Sequence, residues 1–280
     1  MIWEGLAHGW LGALLAFIIA VVLTPLMGHL LHGMGLYDAP EEERKLHRGE
    51  VPLSGGLAIF LALVSVVLIE YTPTKAYFLA HPMLFIGGGL IFLLGLFDDF
   101  LELSARTRLI VQFAVAALVV FWEGLSIVHL GMPLGEARGY VGTWIFGAPM
   151  SVLAIVLMIN AVNMLDGLDG LLAGLMVIAF SGLLYLVVAD GMDIFLIHSI
   201  TLLIFALLGF LVWNYRGFGK TQASYFLGDS GSMFLGFMLA YMAINTAMDP
   251  HSSPQMLVPP ITVAWVVALP AAELLTMFVK

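Results

Sequence analysis

Four polar residues stand at three-residue steps in the oily stretch NAVNMLDGLDGL (160–171): Asn160, Asn163, Asp166 and Asp169. On a helix that spacing keeps side chains on one slowly drifting face. Amide and carboxylate oxygens together are hard ligands, suited to Mg²⁺ or to the water and hydroxyls around a phosphate. Gly167 and Gly170 would let the backbone turn there and approach a ligand. A plain turn, with one aspartate capping the next helix, explains one of the four residues and leaves the register unexplained.

Three other stretches carry similar chemistry. In GLFDDFLELSARTRL (95–109), Asp98 and Asp99 are adjacent at the end of an apolar run. Neighbouring carboxylates repel, so one must stay neutral or a cation must hold both. Charges this close to hydrocarbon are costly and mostly functional. Arg106 and Arg108 follow about two turns on; they suit phosphate binding or simple membrane anchoring. In YFLGDSGSMFLGF (225–237), Asp229 and Ser230 read as a helix start. Free amides at such a start favour phosphate, or the aspartate would hold the metal that a phosphate needs. Phe226 beside them would stack on a base. In RKLHRGEVPLSGG (44–56), a basic run that includes Lys45 and His47 precedes Pro52, Gly55 and Gly56. His29 and His32 lack a third ligand and read as interface residues. Together, five carboxylates, two asparagines and several basic residues point to metal-assisted phosphate chemistry.

The elements that must position these residues are transmembrane helices. The chain has 280 residues, 61% hydrophobic and 10% charged, against roughly 25% charged in soluble domains. The absence of cysteine excludes disulfides and thiolate ligands. A net charge of −9 argues against a nucleic-acid partner. No basic run precedes the first apolar stretch, which reads as a retained anchor rather than a cleaved signal. A bilayer core needs about 20 apolar residues per helix. About nine stretches qualify: 9–31, 53–71, 82–97, 107–123, 148–164, 168–188, 194–213, 230–248 and 257–279. The expected fold is therefore an all-α polytopic membrane protein forming a single integral-membrane domain over 1–280.

Lys and Arg fix the expected orientation. Eight of the ten (Arg44, Lys45, Arg48, Arg106, Arg108, Arg216, Lys220, Lys280) fall on one side, and only Lys75 and Arg138 on the other. That places the N-terminus outside and the C-terminus in the cytoplasm. The same map puts Asp98–Asp99, Asp166–Asp169 and Asp229 all on the cytoplasmic face, although no aspartate entered the count.

The motifs FDD (97–99), NAVNMLDGLDGL and FLGDSGS (226–232), in that order behind RKLHRGEVPLSGG, resemble the polyprenyl-phosphate N-acetylhexosamine-1-phosphate transferases. The likeness runs from about residue 37 onward and is strongest to the undecaprenyl-phosphate GlcNAc-1-phosphate branch. It implies transfer of a sugar-1-phosphate from a UDP-sugar to undecaprenyl phosphate, with release of UMP, at the inner membrane of a bacterium. Mg²⁺, with Mn²⁺ as an alternative, would be the cofactor. Asp98 and Asp99 would be the essential pair, one of them positioning or deprotonating the lipid phosphate. Asp229 would hold the metal, with Asn163 as second ligand. Asp166 and Asp169 would serve the nucleotide side and Phe226 would stack on uracil. Arg108, Arg106, His47, Lys45, Asn160 and Gly167 complete the substrate-binding candidates.

The family pattern continues with a further cytoplasmic loop bearing an HxHH-type motif and one or two more spans. None of the eight histidines here forms such a cluster. The expectation is a member lacking that loop. The muramoyl-pentapeptide branch, a catalytically weak scaffold and a transporter are the alternatives. Transporters place ionisable groups near the bilayer midplane, often in inverted repeats; here the acids gather at one interface. A homodimer and a covalent aspartyl intermediate are both left open.

Overall fold

The computed structural model describes residues 2–39, 49–69, 81–131, 141–189, 194–217, 222–248, 259–268, 270 and 272. Within them the regular structure is helical, apart from one short antiparallel strand pair and two isolated bridges. In order, the elements are α1 (Ile2–Gly33), β1 (Tyr37–Asp38), β2 (Val51–Pro52), α2 (Gly55–Ile69), α3 (Pro82–Leu101), α4 (Ala105–Glu123), α5 (Gly147–Met164), α6 (Leu171–Ala189), α7 (Ile194–Asn214), α8 (Gly228–Met248) and α9 (Pro260–Val266). A 3₁₀ turn, Trp144–Phe146, leads into α5.

Seven of these helices are long and apolar enough to cross a membrane, and α2 is a shorter apolar helix. Each of the first eight expected spans corresponds to a helix. Of the ninth, 257–279, the described helix is Pro260–Val266. The chain is thus an all-α, multi-pass membrane protein. Arg44, Lys45 and His47 lie outside the described residues.

Two boundaries differ from expectation. The hydropathy run stops at 97, yet α3 continues through both aspartates to Leu101 and closes on Glu102 in the left-handed region (φ 49°). Ser104 then starts α4 two residues earlier than the apolar pattern, its hydroxyl accepting the Thr107 N–H at 3.2 Å.

Helix packing follows side-chain size. On α1, Ala13, Ala16, Ala20 and Thr24 are fully buried at three- and four-residue steps, while Leu14, Ile18 and Val22 stay exposed towards lipid. Between membrane helices small residues permit the close approach that packing requires. Pro25 lacks an N–H and so orphans the Val21 carbonyl. The Trp213 indole of α7 donates to that carbonyl at 2.8 Å, which removes the cost of a bare polar group in hydrocarbon.

The helix at the centre is α8. In its apolar window 89% of residues are buried, against 28–50% in the other six spans. Aromatic rings lock it to α2 and α3: Phe60 stacks on Phe92 at 4.1 Å, and Phe234 meets Phe60 edge-on at 5.6 Å. At the head of α8 the neighbours come close enough to need glycine. A Cβ on Gly95 of α3 would lie 2.5 Å from the Asp229 carbonyl, and one on Gly56 of α2 would lie 2.3 Å from the Gly231 nitrogen. These contacts bring the start of α8 against the end of α3, where both aspartates sit.

Candidate active site

The site is built at the start of α8. A helix start leaves several amides without partners. Two of them are satisfied from another helix: Asp99 accepts the Asp229 N–H on Oδ1 at 2.7 Å and the Ser230 N–H on Oδ2 at 3.0 Å. This corrects the expectation of a phosphate on these amides. Asp99 is the anion they bind, and the favourable helix dipole is spent on it.

Asp98, 4% exposed, points elsewhere. Its Oδ2 takes a hydrogen bond from Arg108 Nη1 at 2.7 Å and its Oδ1 takes the Leu103 N–H at 2.8 Å. The turn between α3 and α4 brings Arg108 back over the end of α3. The same Nη1 stands 4.0 Å from Asp229 Oδ2. One guanidinium therefore spans two carboxylates, its own side chain 30% exposed.

From α5, Asn163 donates through Nδ2 to Asp229 Oδ1 at 2.6 Å and to Ser232 Oγ at 2.9 Å. Both of its amide protons are used. Its side-chain oxygen, Oδ1, accepts no hydrogen bond among the described residues. Asn160, one turn deeper, donates to Gln112 Oε1 at 2.6 Å and to the Val156 carbonyl at 2.7 Å. Gln112 is fully buried, so this pair forms the apolar-side floor of the site.

The turn 165–170 divides its aspartates. Asp166 is open to solvent on its outer side yet hemmed in by protein on the other. Desolvation there, then the charges of Asp229 and Asp99, push its carboxyl up to about 7. Water on the open side screens part of that repulsion. Asp169 is sealed, with its side chain 5% exposed; its Oδ2 accepts Arg216 Nε and the Ala223 N–H, each at 2.7 Å. It is not a plain cap of α6. The glycines divide too. Gly170 has φ +74° and needs no side chain, while a Cβ on Gly167 would meet nothing within 4 Å. The turn therefore rests on Gly170, and the expected conformational reason for Gly167 is not found.

Phe226 is half-buried rather than exposed. Its backbone N–H donates to the Pro52 carbonyl at 3.0 Å and its carbonyl accepts the Gly55 N–H at 2.9 Å. The segment into α8 is thus laid beside the segment into α2. Arg106 is exposed and pairs with no carboxylate among the described residues. His32 Nε2 lies 2.9 Å from Glu50 Oε2 at the outer rim; neither is joined to the acids.

Asp99, Asp166, Asp229, Asp98, Asn163 and Arg108 therefore meet at one end of the bundle, as the sequence map requires. Sequence reasoning missed Ser232, Gln112 and Asn214 as polar partners, and took Arg216 only as an orientation charge. An asparagine and an arginine two residues apart at the end of an apolar run, in WNYRG (213–217), were the available signal.

Among the described residues no three His, Asp or Glu side chains form a protein-only metal cage. That does not disfavour Mg²⁺, which keeps several waters and takes one or two carboxylates plus substrate phosphate. The donor set fits: a partnerless amide oxygen on Asn163, a half-open Asp229, and several carboxylates to one arginine.

Comparison with known proteins adds independent findings. The model of glycosyl transferase family 4 matches residues 81–247. A Bacillus subtilis (strain 168) protein named "Probable undecaprenyl-phosphate N-acetylglucosaminyl 1-phosphate transferase" is 35% identical over 236 residues, covering 82% of this chain and 62% of that one. The Escherichia coli (strain K12) undecaprenyl-phosphate alpha-N-acetylglucosaminyl 1-phosphate transferase is 28% identical over 248 residues, 88% and 64% of the two chains. The Salmonella typhi protein of the same name is 27% identical over 265 residues, 94% and 68%. The chain spans 62–64% of the length of the first two relatives.

Proposed function

The chain belongs to glycosyl transferase family 4, and on that premise we propose that it transfers a sugar-1-phosphate from a UDP-sugar to undecaprenyl phosphate, releasing UMP. N-acetylglucosamine is the favoured sugar, from the names of the relatives. The reaction would take place on the cytoplasmic face of a bacterial inner membrane, as the Lys/Arg asymmetry supports. The observation that carries the proposal is the convergence of Asp98, Asp99, Asp229, Asn163 and Arg108 at one end of a membrane bundle.

In this reading an oxygen of the lipid phosphate attacks the β-phosphorus, and the bond to the α-phosphate breaks as UMP leaves. Asp229 and Asn163 would hold Mg²⁺, or Mn²⁺ in its place, which when bound offsets the negative charge growing on the leaving phosphate. Arg108, poised between Asp98 and Asp229, is placed to clamp a phosphate oxygen as a charge-assisted donor. Asp98 holds that guanidinium in place. Asp99 holds the start of α8, so that Asp229 stays where the phosphates must come. Asp166 would face the nucleotide, Asp169, sealed against Arg216, would support that turn from behind, and Phe226 would offer a ring for uracil. Positioning and charge neutralisation would supply most of the rate enhancement.

The test is UMP release from a panel of UDP-sugars, with and without undecaprenyl phosphate, on this chain and on a version carrying any native C-terminal continuation. Release that requires both lipid and divalent cation, greatest with UDP-GlcNAc, is the expected result. No release with any sugar, or release indifferent to EDTA, would overturn it. A phospho-sugar trapped on protein without lipid would replace direct attack by an aspartyl intermediate.

A further inference from the structure

Two segments far apart in sequence are joined by the end of α7. Asn214, 7% exposed, accepts the Gly170 N–H on Oδ1 and donates from Nδ2 to the Tyr225 carbonyl, each at 2.9 Å. Two residues on, Arg216 Nε donates to Asp169 Oδ2 at 2.7 Å, and the same oxygen accepts the Ala223 N–H. The 165–170 turn is thereby stitched to the 222–227 segment by two side chains working in parallel. The first carries Asp166 and the second carries Phe226.

Arg216 and Ala223 both use one oxygen of Asp169. The other, Oδ1, accepts no hydrogen bond among the described residues. Because the side chain is 5% exposed, it has little room to reorient. We propose that Arg216 is a positioning residue for nucleotide recognition. It holds Asp169 and the turn against the Ala223–Tyr225 backbone, and so sets where Asp166 stands relative to Phe226, the two residues assigned above to the nucleotide. This rests on the function proposed above.

An exposed ion pair contributes little, but here one partner is sealed. Removing Arg216 leaves a buried carboxylate with a single amide, and such a charge moves towards water. The turn would move with it. The guanidinium itself is 45% exposed, so its loss leaves the helix packing intact. Its effect therefore belongs in nucleotide affinity, not in the lipid step or in folding.

The experiment compares wild type, Arg216→Ala and Arg216→Lys as full chains in detergent. UDP-GlcNAc binding is measured by calorimetry without lipid, and KM for each substrate and kcat by UMP release. Arg216→Ala is expected to weaken UDP-GlcNAc binding and raise its KM about 10-fold, with kcat and the lipid KM unchanged. Arg216→Lys keeps the charge but lacks the planar fork, and recovers part of the loss. An unchanged nucleotide KM in Arg216→Ala would sink the inference, as would equal losses for both substrates together with a lower unfolding temperature. A wild-type protein that binds no UDP-sugar would instead sink the function on which the inference rests.

Discussion

The two ends of α8 treat carboxylates in opposite ways. At the far end, Glu123 of α4 gives one oxygen to the Tyr241 hydroxyl at 2.6 Å and the other to the Met83 N–H at 3.2 Å. Each acceptor has a neutral donor, and Tyr241 is fully buried. At the near end, Asp98 and Asp229 share one guanidinium, and Asp99 and Asp166 lie close enough to Asp229 for the charges to repel. The far end is closed and fastens helices. The near end sets several carboxylates against one arginine, which is the arrangement the proposed phosphate chemistry would require.

If that contrast is correct, the largest effect comes from the near end. Asp229→Asn should cut UMP release by roughly 10²–10³-fold, in the range seen for a lost electrostatic contact. Its unfolding temperature should stay the same or rise, because a repelling charge is gone. A variant that loses fold and activity together would break the comparison. Next is the far end: Glu123→Ala removes the carboxylate that accepts from the buried Tyr241 hydroxyl and from the Met83 N–H. It should cost about 2–3 kcal/mol of stability, read by unfolding in detergent. Below the new melting point, turnover should remain near wild type.

A smaller effect follows from Asp166. Its pKa is raised from 3.8 to about 7, so between those values the folded chain keeps a proton that the unfolded chain has released. That stabilises the fold at low pH, and the contribution is lost as pH rises through 7. Melting curves from pH 5 to 8 without divalent cation should fall for wild type more steeply than for Asp166→Asn. Parallel curves would show that Asp166 does not feel the other acids. The smallest contrast is local. Gly170→Ala forces a left-handed Cβ and should cost about 1 kcal/mol, whereas Gly167→Ala should leave melting and KM unchanged.

What could be read from sequence was whatever repeats locally or sits at a helix end. Apolar length disclosed the spans, and the charge count gathered the acids on one face. The end of α3 was misjudged because Asp98 and Asp99 remain helical while ending the hydropathy signal. Contacts between distant segments left no local pattern. Nothing near residue 99 announces that it will accept the amides of 229 and 230. The ladder between Pro52 and Phe226 was equally silent. Arg216 is hidden for another reason: an arginine at the end of an apolar run reads as a membrane anchor, and its partner Asp169 lies 47 residues away in sequence. The sequence therefore points to the acids of the candidate site but not to the donors that aim them.

The burial of α8 also bears on how the protein is made. Its mean hydropathy is 1.3, the lowest of the seven spans, and its surface is offered to neighbours rather than lipid. A segment of that kind partitions weakly into a bilayer by itself. It leaves the ribosome after α2, α3 and α5, whose small residues and aromatic rings form its socket. Integration of α8 should therefore depend on those earlier helices having already gathered beside the translocon, and the end that gathers the aspartates would be completed only once α8 has joined them.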